Sequence, residues 1–248
     1  MTTVKNIYDY IDSIAPYDTQ DDWDNSGHLV GNFRKTVHRV VMALDATKEV
    51  CDYAADLGAD LVLTHHPIIF RPLSAVKSDT AVFTLTRNDI AMLCAHSNFD
   101  KAEEGINTNL AAILGLSNLR RLGDGYTVVG DLEQSMSIDD LAQLVADTLD
   151  VAGIRYTDTD RVINKVGVCG GSAEELQPSA MEYCDCYITG DMKYHQLLDA
   201  QQRGEAVISA GHYETEYPAF MMLKNKLEAM FPDVEFFAAP TANPVKSL

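Results

Sequence analysis

Apolar residues recur at helical spacing from the start of the chain. Val4, Ile7, Tyr8, Ile11 and Ile14 fall on one face, which predicts an amphipathic helix over 3–14, ended by Pro16. A polar stretch, PYDTQDDWDNSGHLVG (16–31), reads as loop. Strand-like and helix-like segments then alternate. Strands are expected at 37–44, 60–64 and 90–95, with helices at 47–57 (Thr47 as N-cap, Gly58 past its end), 78–87 and 107–113. The second half repeats the rhythm: strand 126–132, helix 138–149 capped by Ser137, strands 152–156 and 161–169, helix 173–183, strand 185–189, helix 191–202, strand 206–210, helix 215–230 and a last strand near 234–238. Pro218 sets the expected start of the long helix near Thr215, because a start at His212 would bury the proline ring against the carbonyl of residue 214. This alternation predicts an α/β chain of two similar, intertwined halves, each a mostly parallel or mixed sheet with helices on both faces in three layers. The internal boundary is expected within Leu114–Gly125, giving halves 1–120 and 121–248 that could also pack as a single unit.

The halves resemble each other. AADLGADLVLTHH (54–66) can be laid over AMEYCDCYITGD (180–191), matching Asp60 to Asp185 and Thr64 to Thr189. IAMLCAHSNFD (90–100) then lies over AVISAGHYETE (206–216), pairing His96 with His212 and Asp100 with Glu216. In an open α/β sheet, ligands bind beyond the carboxyl ends of strands, and both histidines follow such ends.

Composition narrows the partners. With 19 Lys+Arg against 37 Asp+Glu, the formal net charge is −18, which argues against nucleic acid or an anionic membrane as the main partner. No apolar run approaches the ~20 residues of a membrane span, and the start has no basic region followed by an apolar core. A cytoplasmic protein is expected. The five cysteines include no Cys-x-x-Cys pair and read as buried, reduced thiols.

The chemistry concentrates at three strand ends. In Leu-Val-Leu-Thr-His65-His66-Pro67, adjacent imidazoles can converge only where the strand breaks into a turn, and Pro67 keeps the ladder from continuing. The alternative is one core histidine and one exposed. Gly211-His212-Tyr213-Glu214-Thr215-Glu216 sets an imidazole and a carboxylate four apart, although Glu216 could merely cap the helix. His96-Ser97-Asn98-Phe99-Asp100 places an acid before a poor helix start, which weakens a capping role for Asp100. His65, His66, Asp100, His212 and Glu216 are therefore the candidate metal ligands. Mixed nitrogen and oxygen donors suit Zn, Mn, Fe or Ni better than Mg or Ca. Five donors exceed the roughly three that one open catalytic metal needs, and suggest two divalent ions per subunit. His96, Asp191 and His195 are candidates for orienting or proton-transfer roles. Gly170-Gly171-Ser172 could hold a phosphate, and Trp23-Asp24-Asn25 is expected to shape a cavity wall.

Taken together, Trp23-Asp24-Asn25-x-Gly27, Leu44-Asp45-Ala46-Thr47, THHPIIF (64–70), HSNFD (96–100), Gly105-Ile106-Asn107, Cys169-Gly170-Gly171-Ser172, Thr189-Gly190-Asp191 and GHYETE (211–216) resemble, in this order, the GTP cyclohydrolase 1 type 2-like proteins, also called Ngg-interacting factor three-like. The resemblance implies a dinuclear metal centre on the same five ligands and a toroidal homohexamer. It also implies a hydrolase attacking C8 of the guanine ring of a nucleotide. A phosphoester substrate would suit the same metals, and a non-catalytic, ring-shaped metal-handling oligomer or protein-interaction adaptor would need the same ligands. His28 departs from the family, which usually carries Leu there, and is expected to be exposed.

Overall fold

The computed structural model describes residues 1–246. Packing divides the chain into two units, Met1–Gly105 with Phe220–Ala242, and Ile106–Ala219 with the C-terminal residues from Asn243. These units are interleaved, so they differ from a single division between 120 and 121. The reasons are local: strand Glu235–Ala238 pairs in parallel with Arg39–Ala43, and helix Ile106–Ile113 packs on strands Val128–Met136 and Ile163–Cys169.

Unit 1 opens with helix Val4–Ile14, whose N-terminus is closed by a reciprocal capping box between Thr3 and Asn6. Val4, Ile7 and Ile11 are buried along its inner face. Its sheet runs, in spatial order, Gly27–Val30, Ala91–Cys94, Leu61–Thr64, Arg39–Ala43 and Glu235–Ala238, all parallel except the first. Strands Leu61–Thr64 and Ala91–Cys94 are buried at every position, as expected of parallel strands covered on both faces. Helix Lys48–Leu57 starts at the predicted cap Thr47 and ends at Gly58, which adopts φ +67.

Unit 2 contains a six-stranded mixed sheet in the order Ser117–Arg121, Val128–Met136, Ile163–Cys169, Cys186–Thr189, Ala206–Ser209 and Arg155–Tyr156. Its central three strands are parallel, with Cys169, Thr189 and Ser209 in register. Both sheets are flanked by helices, as the alternation predicts. Two strands were not foreseen. Gly27–Val30 lies at the end of a polar loop, and Ser117–Arg121 is an exposed edge strand with no apolar alternation to announce it. The helix predicted at 173–183 is only a 3-10 turn followed by Gln177–Ala180.

The repeat is visible in the hydrogen bonding. Asp60 Oδ2 accepts from the backbone of His38 and Arg39, and Asp185 Oδ2 accepts from Asn164 and Lys165 in the same way. Ala95 N donates to Thr64 O, and Ala210 N donates to Thr189 O. This last pair moves the sequence alignment by one residue. Ala210, not Gly211, is the counterpart of Ala95, so His212 stands one residue further beyond its strand than His96 does.

All five cysteines are free and buried. Burial pushes the thiols of Cys51 and Cys184 up to about 12, and those of Cys94 and Cys186 well above the ordinary value. At pH 8 the folded protein should therefore react with a thiol-specific chromogenic disulfide far more slowly than the unfolded chain, which should release five equivalents. Fast labelling of even two thiols in the native protein would contradict this packing.

Candidate metal centre

In unit 1, three neighbouring parallel strands end together and hand the chain to polar residues. Arg39–Ala43 leads to Asp45, Leu61–Thr64 to His65 and His66, and Ala91–Cys94 to His96. A four-residue helix, Ser97–Asp100, then carries Asp100. The turn after Thr64 is fixed by polar contacts: His66 N donates to Leu44 O (2.9 Å) and the Thr64 hydroxyl donates to His66 O (2.7 Å). The rings of His65 and His66 thereby converge at 5.0 Å between centroids, and His96 lies 5.1 and 5.3 Å from them. One nitrogen from each of the three rings lies within 4.8 Å of the others. His65 is fully buried, and its Nε2 is 3.4 Å from Asp100 Oδ1. His96 thus lies in the same cluster of ring nitrogens as His65 and His66.

Each ring is oriented through its other nitrogen. His65 Nδ1 lies 2.8 Å from Ala95 O, His66 Nδ1 2.8 Å from Asp45 Oδ1, and His96 Nδ1 2.9 Å from Asp24 Oδ1. A carbonyl oxygen can only accept, so His65 carries its proton on Nδ1, and its neutral form presents a lone pair at Nε2. Orienting carboxylates and carbonyls of this kind accompany metal-ligating histidines. Asp24, expected to shape a wall, is an anchor. Its carboxylate also accepts from Ser26 Oγ, Ser97 N and Ser97 Oγ (2.8, 3.1 and 2.6 Å), and its side chain has no exposed surface. Burial works to raise its pKa, but the bonds from His96 and Ser97, with Ser26, hold the carboxyl well below the usual carboxylate range. Neither Asp24 nor Asp45 could be assigned these roles from sequence, since each lies far along the chain from its histidine.

In unit 2, His212 and Glu216 meet with Nε2 and Oε2 at 3.1 Å. His212 Nδ1 is held by Asp191 Oδ2 at 2.8 Å, and Asp191 also accepts from Ser172 Oγ at 2.9 Å. Asp191 thus joins Ser172 to the His212 ring. The long helix begins at His212 and runs to Met230 with Pro218 inside it, which corrects the expected start at Thr215. Thr215 closes the first turn ahead of the proline: its N–H donates to Gly211 O (3.1 Å), and its hydroxyl reaches the carbonyls of Gly211 and His212 (2.8 and 3.0 Å). Starting there places His212 and Glu216 on one helical face, one turn apart.

Glycines make the room. A Cβ on Gly171, which adopts φ +65, would lie 2.1 Å from Glu216 Oε1 and 3.3 Å from His212 Nε2. A cradle that only glycine permits, beside a histidine and a buried carboxylate, fits a small cation. In both units an imidazole Nε2 faces a carboxylate oxygen while Nδ1 is engaged by an acceptor, a donor set able to hold a metal ion.

Residues 2–244 match the family described as Duf34/NIF3 (NGG1p interacting factor 3). The chain belongs to the DUF34/NIF3 family. Among its relatives, the GTP cyclohydrolase 1 type 2 homolog of Clostridium perfringens is 32% identical, covering 96% of this chain and 97% of its own. That of Clostridium acetobutylicum is 33% identical over 91% of this chain and 89% of its own. The crystal structure of a Staphylococcus aureus protein, 22% identical, superposes with a TM-score of 0.91 over 100% of this chain and 99% of that one, showing the shared fold.

Two expectations fall away. His195, on helix Tyr194–Arg203, is exposed with its ring edge-on to Tyr194, and among the described residues it joins no group of potential ligands. His28, expected to be exposed, is half-buried in strand Gly27–Val30 with its ring tilted on Phe33 at 4.9 Å. Burial lowers its pKa. No helix among the described residues is long and apolar enough to cross a membrane.

Proposed function

We propose that this DUF34/NIF3 chain is a metal-dependent hydrolase that uses His65, His66 and Asp100 together with His212 and Glu216 to hold two divalent ions per subunit. The observation that supports it is the shared orientation of the imidazoles, each engaged at Nδ1 by an acceptor while its Nε2 side carries the candidate donors. Bound there, divalent ions would supply Lewis acidity, lowering the pKa of water toward neutrality and polarising the substrate. Asp45 and Asp191 keep His66 and His212 in the tautomer that donates from Nδ1. His96, buttressed by Asp24, is placed to accept a proton at Nε2 from the attacking water and to return it to the leaving atom. The relatives' name points to a nucleotide opened at guanine C8, and a phosphoester is the second substrate class. The finer reading is a cytoplasmic, ring-shaped homohexamer.

Metal analysis with a turnover assay tests this. The purified protein is expected to hold close to two divalent ions per chain. Loaded with Mn, Zn or Fe, it should hydrolyse nucleotides or phosphoesters at least a hundredfold faster than a His65→Ala/Glu216→Ala variant. Fewer than about one ion per chain overturns the two-ion centre. Full metal content without turnover leaves a metal-handling protein.

A further inference from the structure

Trp23 and Phe70 are large aromatic residues left 54% and 42% exposed, and they stack on each other at 5.9 Å with an interplanar angle of 28°. Both meet the His96 ring edge-on, Trp23 at 5.7 Å and Phe70 at 6.4 Å. The two come from loops 40 or more residues apart in sequence that are fastened together beneath them: Asn25 Nδ2 donates to Ile69 O at 2.5 Å, a span of 44 residues. Asp24, next to Trp23, is locked by its bonds to Ser26, His96 and Ser97. Exposed aromatic surface held rigidly beside a cluster of nitrogen donors is the composition of a binding site for a flat molecule with a polar edge.

We infer that the Trp23–Phe70 pair is a stacking platform for a planar heteroaromatic ring, so that the substrate is a nucleobase-like compound rather than a simple phosphoester. The inference rests on the proposed hydrolase reading, in which His96 moves a proton beside the ligands His65 and His66, and it selects between that reading's two substrate classes. Base–aromatic stacking tolerates any base, so the platform positions a ring without choosing among purines. Choice among them must come from polar groups at the ring's edge.

The chain has one tryptophan, so its fluorescence reports Trp23 alone. Zn-loaded protein is titrated with guanosine 5′-monophosphate, adenosine 5′-monophosphate and, as the ring-free control of similar charge, ribose 5-phosphate. Both nucleotides should quench Trp23 saturably, and ribose 5-phosphate should not. Phe70→Ala, at a half-exposed position that leaves the fold intact, should weaken nucleotide binding about tenfold while Trp23 continues to report. Equal responses to ribose 5-phosphate and the nucleotides, no response at all, or no effect of Phe70→Ala overturns the platform. So does failure of acrylamide to reach Trp23 in the native assembly with nucleotides silent, which would make the patch a contact with another copy. The hydrolase reading fails separately. Quenching without turnover of either nucleotide removes the hydrolase and keeps the platform, whereas hydrolysis of ribose 5-phosphate with a silent Trp23 does the reverse.

Discussion

Alanine at Gly190 is expected to lower the thermal midpoint more than alanine at Gly171, and alanine at Gly171 to remove metal from the His212–Glu216 pair. The difference lies in what each new methyl meets. At Gly190 a Cβ would sit 2.6 Å from Gly171 O, 2.8 Å from His212 Cα and 2.9 Å from Thr215 Oγ1. Two of these are backbone atoms at the ends of adjacent strands, and they cannot swing aside. Overpacking of this kind costs about 2–3 kcal/mol, or about 4–12 °C for a chain of this size. At Gly171 the methyl meets the far end of the Glu216 side chain at 2.1 Å, which can rotate away. The remaining penalty is the positive φ of +65, roughly 1–2 kcal/mol for a residue with a Cβ. A rotated Glu216, however, leaves His212 without the carboxylate that faces its Nε2. Metal affinity measured by competition with a chromophoric chelator should fall about a hundredfold. A Gly171→Ala protein that binds metal as tightly as the native chain would exclude the His212–Glu216 pair as ligands.

Much of this fold is readable in the sequence because the central parallel strands are short, mostly apolar runs and the helices beside them are bounded by caps. Leu61–Thr64 and Ala206–Ser209 have no alternative to burial, and Thr47, Ser137 and Gly58 mark helix ends by local bonds that depend on few neighbours. The misses have tertiary causes. Ser117–Arg121 is a strand only because Val128–Met136 lies beside it, and Gly27–Val30 because Ala91–Cys94 does. The early start of the last helix depends on the Thr215 hydroxyl, whose acceptors become neighbours only once the turn has formed. The candidate ligands stand out in the sequence because they sit in dense local motifs that follow strand ends. Their anchors were not: Asp24 reaches His96 across 72 residues and Asp45 reaches His66 across 21, and no local pattern records such pairings.

Asp24→Ala should be among the most damaging single substitutions in unit 1. The carboxylate accepts from one imidazole, two hydroxyls and the backbone N–H groups of Asn25 and Ser97, and its side chain has no exposed surface. Removing it deprives several covered donors of their acceptor at once, which costs about 3–5 kcal/mol and about 6–20 °C in the midpoint. Asp24→Asn keeps one acceptor oxygen and should fall between. A merely structural carboxylate would destabilise equally whatever its neighbours, so the decisive measurement is a double-mutant cycle with His96→Ala. If Asp24 holds the imidazole, the two losses should be non-additive by about 1–3 kcal/mol, and His96→Ala alone should reproduce part of the effect of Asp24→Ala on metal affinity. Strict additivity would mean that Asp24 secures only Ser26 and Ser97, leaving the orientation of His96 to its packing against Trp23 and the neighbouring histidines.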